Sequence, residues 1–221
     1  ATKKEDVERL MGGEKADMVF TDPPYGIDLD ASFSGMPSRW ASHKYDNKFQ
    51  AKIVGDDKPF EASIILQAFP CKEVFLFGAD YYTNTLPNAG IGGTWYIWDK
   101  REEENFDRMF GSPFEVIWGK QKHGKKIIRM RWASFFSSEN AGGERPKNRT
   151  HPTQKPVALG KQFIEGYSKL GDIVTDMFGG SGSTLIACEK LGRRCFMMEI
   201  DEHYCDIIIQ RWQNFTGHKA E

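Results

Sequence analysis

Short apolar runs bounded by turn residues alternate along the chain with stretches whose apolar positions recur every three to four residues, and this alternation predicts an α/β fold. Asp17–Thr21 (DMVFT) reads as a buried strand running straight into Asp-Pro-Pro. Pro59–Phe69 carries Ile64, Ile65, Leu66 and Phe69 and reads as a helix. Glu73–Phe77, Thr94–Trp98, Phe114–Trp118 and Lys126–Trp132 are rich in aromatic and β-branched side chains, which suit a pleated surface, and read as strands. The C-terminal third predicts a helix over Val157–Leu170, a strand over Ile173–Thr175 and a glycine-rich turn. A helix over Ser183–Leu191, a strand over Arg194–Ile200 and a helix from Asp201 follow. Strands joined by such helical crossovers are expected to run parallel. Ile27–Gly55 and Ser137–Thr150 have no sustained period and read as long loops.

Composition narrows the class. With 221 residues, 39% hydrophobic and 13% aromatic, the chain has enough apolar material for one domain over 1–221 and is not a disordered or collagen-like sequence. Its net charge of −1 conceals an asymmetry. Between Gly119 and Lys155 lie ten basic residues and two acids (+8), against 20 and 29 elsewhere (−9), which suits a polyanion-binding face on an acidic body. The cysteines Cys71, Cys188, Cys195 and Cys205 form no CxxC pair and no metal-ligand spacing, so no metal and a reduced, cytoplasmic setting are expected. No apolar run reaches the roughly 18 residues of a membrane span, and no membrane partner is expected. Ala1 has no Met before it, which leaves room for a further N-terminal domain; a homodimer is open as well.

Two motifs carry candidate chemistry. Asp176-Met-Phe-Gly-Gly-Ser-Gly-Ser183 joins a strand to a helix, where glycines let backbone N–H groups approach a ligand and the helix start favours anionic groups. Glu199 closes the next strand, 17 residues after Gly182, where an acid in nucleotide-binding α/β folds takes the ribose hydroxyls. A tight turn followed by a solvated acid is the plainer reading. Asp22-Pro23-Pro24-Tyr25 follows the DMVFT strand directly. Its prolines fix φ and remove two N–H donors, so the turn offers acceptors, the Asp22 carboxylate and the Pro23 carbonyl, suited to an exocyclic amine. Tyr25 adds a flat face for a planar base. A rigid turn with a packed Tyr is the alternative.

Taken together, TDPPYG at Thr21–Gly26, HPTQKP at His151–Pro156 and DMFGGSG at Asp176–Gly182 resemble the amino-group DNA methyltransferases that use S-adenosylmethionine. With the DPPY motif ahead of the glycine motif, the order is similar to the permuted beta group. The resemblance implies a Rossmann-like, seven-stranded, mostly parallel sheet with helices on both faces. It assigns catalysis to Asp22, Pro23, Pro24 and Tyr25. Thr153, Gln154 and Lys155 are expected to line the methionine end of the cofactor, with Lys155 near its carboxylate and Asp176 facing its amino group. Phe178, Gly179, Gly180, Ser181, Gly182 and Ser183 would complete that wall, and Glu199 would hold the ribose. An Asp opening the tetrapeptide resembles the adenine-N6 enzymes, where cytosine-N4 relatives usually have Ser and protein-glutamine methylases Asn. Met177 and Ser183 replace the common Pro and Thr, and the glycine–acid segment usual before the first strand is not recognisable.

DNA is the expected partner. Lys122, Lys125, Lys126, Arg129 and Arg131, followed by Arg145, Lys147 and Arg149, read as a phosphate-binding surface within a basic insert over 119–150, a minimal DNA-recognition region. A lysine-protected sheet edge is the competing reading. Arg39, His43 and Lys44 are weaker candidates, and His123 is expected to be exposed. Thr153 is expected to cap the following helix, with Pro156 in its first turn. Cytosine-N4 methylation, RNA or protein amino methylation, an inactive DNA-binding module of the same fold and a nicotinamide oxidoreductase are the alternatives.

Overall fold

The computed structural model describes residues 3–29, 53–104, 111–133, 136–137 and 153–221. Chain order is α1 (Lys4–Met11), β1 (Met18–Thr21), α2 (Ala62–Ala68), β2 (Glu73–Phe77), β3 (Thr94–Asp99), β4 (Phe114–Gly119) and β5 (Ile127–Arg129). A short β6 (Trp132–Ala133) and β7 (Phe136–Ser137) pair with each other; α3 (Val157–Tyr167), β8 (Ile173–Asp176), α4 (Ser183–Leu191), β9 (Arg194–Met197) and α5 (Glu202–Thr216) follow. The main sheet has seven strands in the order β5-β3-β4-β2-β1-β8-β9. β4 runs antiparallel to both of its neighbours, and every other pairing in this sheet is parallel.

The period of two along the strands divides the core. Met18, Phe20, Phe75 and Phe77 join the buried cluster that includes Val157, Leu159, Phe163 and Ile164 of α3 and Ile186, Ala187 and Cys188 of α4. Val19, Val74 and Leu76 join the other, with Val7 and Met11 of α1 and Ala62 and Ile65 of α2. Helices therefore cover both faces, as an α/β sheet whose central strands are buried on both sides requires. Each such fully buried side chain contributes about 1.5–3 kcal/mol.

Several readings from the sequence are corrected, among them the strand expected over Arg194–Ile200: β9 stops at Met197, so Glu199 lies past its end. The helix α1 was not legible, because only Val7 and Met11 of it reach the core. The run Lys126–Trp132 is not one strand: β5 stops at Arg129, whose register partner Asp99 ends β3. Thr153 is not a cap. α3 begins at Val157 with Pro156 at its N-cap and no capping side chain, because a residue before proline is disfavoured in helical backbone. Among the described residues no helix is long and apolar enough to cross a membrane.

Candidate active site

The strands β1 and β8 are neighbours, so their carboxyl ends lie side by side at the edge of the sheet where α/β folds gather ligands. The Asp-Pro-Pro and glycine-rich turns, more than 150 residues apart in sequence, are thereby joined: Thr21 Oγ1 donates to Asp176 Oδ1 at 2.7 Å. A cleft of about 690 Å³ runs between them, lined at one end by Asp22, Pro23, Pro24 and Tyr25 and at the other by Gly179, Gly180 and Glu199.

At the first end, Asp22 Oδ1 accepts from the Tyr25 hydroxyl at 2.7 Å, and Oδ2 from Lys155 Nζ at 2.5 Å. Lys155 also lies 3.3 Å from Glu115 Oε2, while Lys100 donates to Glu115 Oε1 at 2.9 Å. Burial, and repulsion from Glu115, raise the Asp22 carboxyl above its ordinary value against the pull of Lys155. Burial would raise Glu115 too, but Lys155 and Lys100 hold it down to about 2. Burial and the Asp22 charge push the Tyr25 hydroxyl well above the usual phenol range. The Tyr25 ring stacks on Tyr81, with centroids 5.2 Å apart and planes 13° from parallel. Gly78 makes room for it: with φ of 61°, a Cβ there would fall 2.2 Å from the Tyr25 ring. The buried Asp56 accepts from the Gly26 and Leu29 backbone N–H groups at 2.8 Å, fixing the segment that follows Tyr25.

At the second end, the chain leaves β9 at Met197, and Met198 bonds the backbone of Asp176 and Gly179. This brings Glu199 under the glycine turn. Its Oε2 accepts from Gly180 N at 2.6 Å, and its Oε1 from Ile200 N at 2.8 Å and Asp201 N at 2.9 Å. Three of about four acceptor positions on the carboxylate are thus used by backbone. Gly182 caps α4 with φ of 77° beneath Ile208, whose Cγ1 lies 3.1 Å from where its Cβ would be. Arg211 of α5 donates to the backbone and hydroxyl oxygens of Ser181.

The remaining expected cofactor residues fall between the two ends. Thr153, Gln154, Lys155, Phe178, Ser181 and Ser183 all border the cleft. Ser183 Oγ donates to the Lys155 carbonyl at 2.7 Å, so the Lys155 backbone is tied to the glycine turn while its ammonium reaches Asp22. Lys155 thus borders the cleft with its ammonium on Asp22, a contact the sequence did not reveal. The Asp176 carboxylate, which also lines the cleft, accepts from the hydroxyls of Thr21 and Thr184 and from Phe178 N, and burial lifts it to about 7. Asp80, Tyr81, Lys100, Glu115 and Asp56 also line the cleft and escaped the sequence reading. Only the GAD step after the second strand and the isolated Glu in FEVIW hinted at them.

The basic run is divided by the fold. The backbone N–H of Lys120 bonds Val74 near the start of β2, and Thr94 Oγ1, at the start of β3, bonds the Gln121 carbonyl. Exposed Lys122 and Lys125 therefore sit at the amino edge of the sheet, opposite the cleft. Lys126 lies over the Tyr167 ring at 5.5 Å. Exposed Arg129 and half-buried Arg131, by contrast, stand at the carboxyl edge beside Asp99 and Lys100. His123 is half-buried, its Nε2 3.0 Å from Glu73 Oε2, which corrects its expected exposure. Arg39, His43, Lys44, Arg145, Lys147, Arg149 and His151 lie outside the described residues. Among the described residues no group of three or more His, Cys, Asp and Glu is placed to hold a metal ion.

Comparison with known proteins shows the same fold. The fold is similar to that of M1.HpyAVI, solved as a complex with SAM (TM-score 0.56, 18% identity, 96% of each chain). It is likewise similar to PvuII DNA methyltransferase, described as cytosine-N4-specific (TM-score 0.55, 17% identity, 94% of this chain and 83% of that one). In sequence, the Type II methyltransferase M.HpaI of Haemophilus parainfluenzae is 25% identical over 228 residues, covering 91% of this chain and 69% of its own. Residues 73–210 match the family of N6 and N4 DNA methylases, a span that holds Glu115, Lys155 and the glycine turn and begins after Asp22. That match takes in more than half of the chain, and the protein belongs to the N6/N4 DNA methylase family.

Proposed function

We propose that this protein is an S-adenosylmethionine-dependent DNA methyltransferase acting on the exocyclic N6 of adenine. The observation that carries the reading is the single cleft joining the Asp22 carboxylate to the glycine turn and Glu199. Its volume suits a nucleoside-sized ligand together with a base. The residues present fit the cofactor: glycine backbone, the remaining acceptor position on Glu199 for a ribose hydroxyl, and the ring of Phe178 on the wall. When bound, S-adenosylmethionine supplies an activated methyl on a sulfonium.

The chain's own groups supply alignment. Asp22 and the Pro23 carbonyl accept the two N–H bonds of the target amine, which withdraws its lone pair from the ring and directs it along the cleft. The amine nitrogen would form its bond to the methyl as the S–CH3 bond of the sulfonium breaks, leaving a neutral thioether, and the surplus amine proton would pass to the Asp22 carboxylate and on to solvent. Because N6 is buried in a duplex, the base must be flipped out at a cost of a few kcal/mol. Stacking on the Tyr25–Tyr81 pair offsets about 1–3 kcal/mol of this. DNA phosphates would meet Arg129 and Arg131 at the carboxyl edge. An Asp at position 22, with two lone-pair-rich oxygens, favours adenine over cytosine by resemblance of the tetrapeptide. The test is transfer of labelled methyl to mixed-sequence duplex DNA, followed by digestion to nucleosides. N6-methyladenine is the expected product; N4-methylcytosine would overturn the base assignment, and label only in RNA or protein would overturn DNA as substrate.

A further inference from the structure

Glu115 belongs to none of the motifs, yet it completes the charge arrangement at the reacting end. Four buried or half-buried groups alternate in sign: Asp22, Lys155, Glu115 and Lys100. Lys100 fixes Glu115 Oε1 at 2.9 Å. The other oxygen, Oε2, is buried and 3.3 Å from the Lys155 ammonium, and no described residue gives it an aligned hydrogen bond. Lys155 meanwhile donates to Asp22 Oδ2, an oxygen that a target amine would use. One cation thus bridges two carboxylates, closer to Asp22 Oδ2 at 2.5 Å than to Glu115 Oε2 at 3.3 Å.

We propose that Glu115 is a positioning residue that gives Lys155 a second seat: as the target amine reaches Asp22, the ammonium passes from Asp22 Oδ2 to Glu115 Oε2. This rests on the functional reading above and adds to it how the acceptor is cleared. A buried ammonium with nowhere to go would stay on Asp22, because leaving it unpaired in the protein interior costs several kcal/mol. The second seat removes that obstacle without changing the number of charges. The amine biases the two arrangements because it contacts Asp22 in only one of them. Other groups facing the pair are Tyr25, Tyr82 and Asp176 around Asp22, and Asp80 beside Glu115. Both tyrosines are neutral at working pH, since burial raises them well above their usual range.

The experiment measures methylation as a function of pH in Glu115→Gln and Lys100→Met. Glu115→Gln is expected to lower kcat about 100-fold, the scale of a misplacement of about 1 Å at a reacting centre, with the KM for S-adenosylmethionine nearly unchanged. Its acid limb should move to lower pH, because the Glu115 charge that raises Asp22 is gone and Lys155 stays on Asp22. Lys100→Met should move the limb to higher pH, because Glu115 then draws Lys155 more strongly. Opposed shifts accompanied by the loss confined to kcat in Glu115→Gln support the second seat, since removing charge alone moves the limbs without lowering the rate at the plateau. A fall in rate with both limbs in place, or an unchanged rate in Glu115→Gln, overturns it. If Glu115→Gln fails to fold, the direction of the Lys100→Met shift decides alone. A wild-type protein that methylates no DNA removes the functional reading; one that methylates DNA while the two variants fail to move the acid limb in opposite directions removes the seat alone.

Discussion

At the Asp22 end of the cleft, side chains face side chains, and each ion has more than one partner within reach: Lys155 lies between Asp22 and Glu115, and Glu115 between Lys155 and Lys100. At the Glu199 end, one carboxylate faces backbone, and its three bonds lock β9, the glycine turn and the start of α5 together. The first arrangement can redistribute without unfolding anything; the second cannot move without breaking the loop geometry that makes it. Chemistry that must accommodate an incoming amine fits the first, and a site that must hold a ligand in register fits the second. Substitutions at the two ends should therefore affect different quantities.

The largest effect is expected from Asp22→Ala. Removing an acceptor that acts in the transition state should cost about 10³-fold in kcat, with equilibrium binding of S-adenosylmethionine nearly unchanged. A variant that lost cofactor binding and rate together would erase the distinction between the ends. Glu199→Ala should do the reverse, weakening cofactor affinity about 10–100-fold. It should also lower stability by about 1–3 kcal/mol, because three backbone donors lose a charged acceptor. Calorimetric titration and thermal unfolding of the same preparation would check both. Unchanged stability would mean that the backbone bonds do not organise the turn.

Between the ends, Asp176 sharpens the comparison through pH. Its folded value of about 7 lies above the unfolded value of 3.8, so the native state holds the extra proton between these limits. Stability from this group is thus full below about pH 4 and lost as pH rises through about 7, by a few kcal/mol at most. Asp176→Asn keeps acceptors for Thr21 and Phe178 N and lets the Thr184 hydroxyl reverse its bond. Its melting temperature should fall less than that of the wild type between pH 5 and pH 8. An equal fall in both would show that Asp176 titrates normally.

How much of this was legible in the sequence follows from the type of interaction. Strands such as Met18–Thr21 and Glu73–Phe77 were readable because every residue that makes them buried is local in the chain. The glycine turn and the Asp-Pro-Pro turn were readable for the same reason. Glu115 was not, since its meaning comes from Lys100 and Lys155, brought beside it by an antiparallel pairing and by a helix entry 40 residues later. Lys155 was recognised as functional, but its contact with Asp22 was not, because spacing shows that a residue borders a motif and not where a long flexible side chain points. The placement of the basic run was unreadable for a related reason. Charge density along the chain is blind to the fact that β4 runs against its neighbours and delivers Lys122 and Lys125 to the opposite edge.

That division yields the smallest effect expected. β3 spans six residues, so the two edges are about 20 Å apart at roughly 3.3 Å per residue. Arg129, at the carboxyl edge and only 3.7 Å from Asp99 at its Nε, keeps its guanidinium largely in solvent, where it can neutralise a phosphate. Arg129→Gln should then reduce the slope of log K for DNA against log salt by about 0.9, the release of one counterion, and leave cofactor binding alone. Replacing Lys122 and Lys125 together by Gln should leave the slope unchanged, since a duplex held at the cleft does not reach the amino edge. If the double variant flattened the slope and Arg129→Gln did not, DNA would approach from the far side of the sheet. The flipped base would then have no path to Asp22.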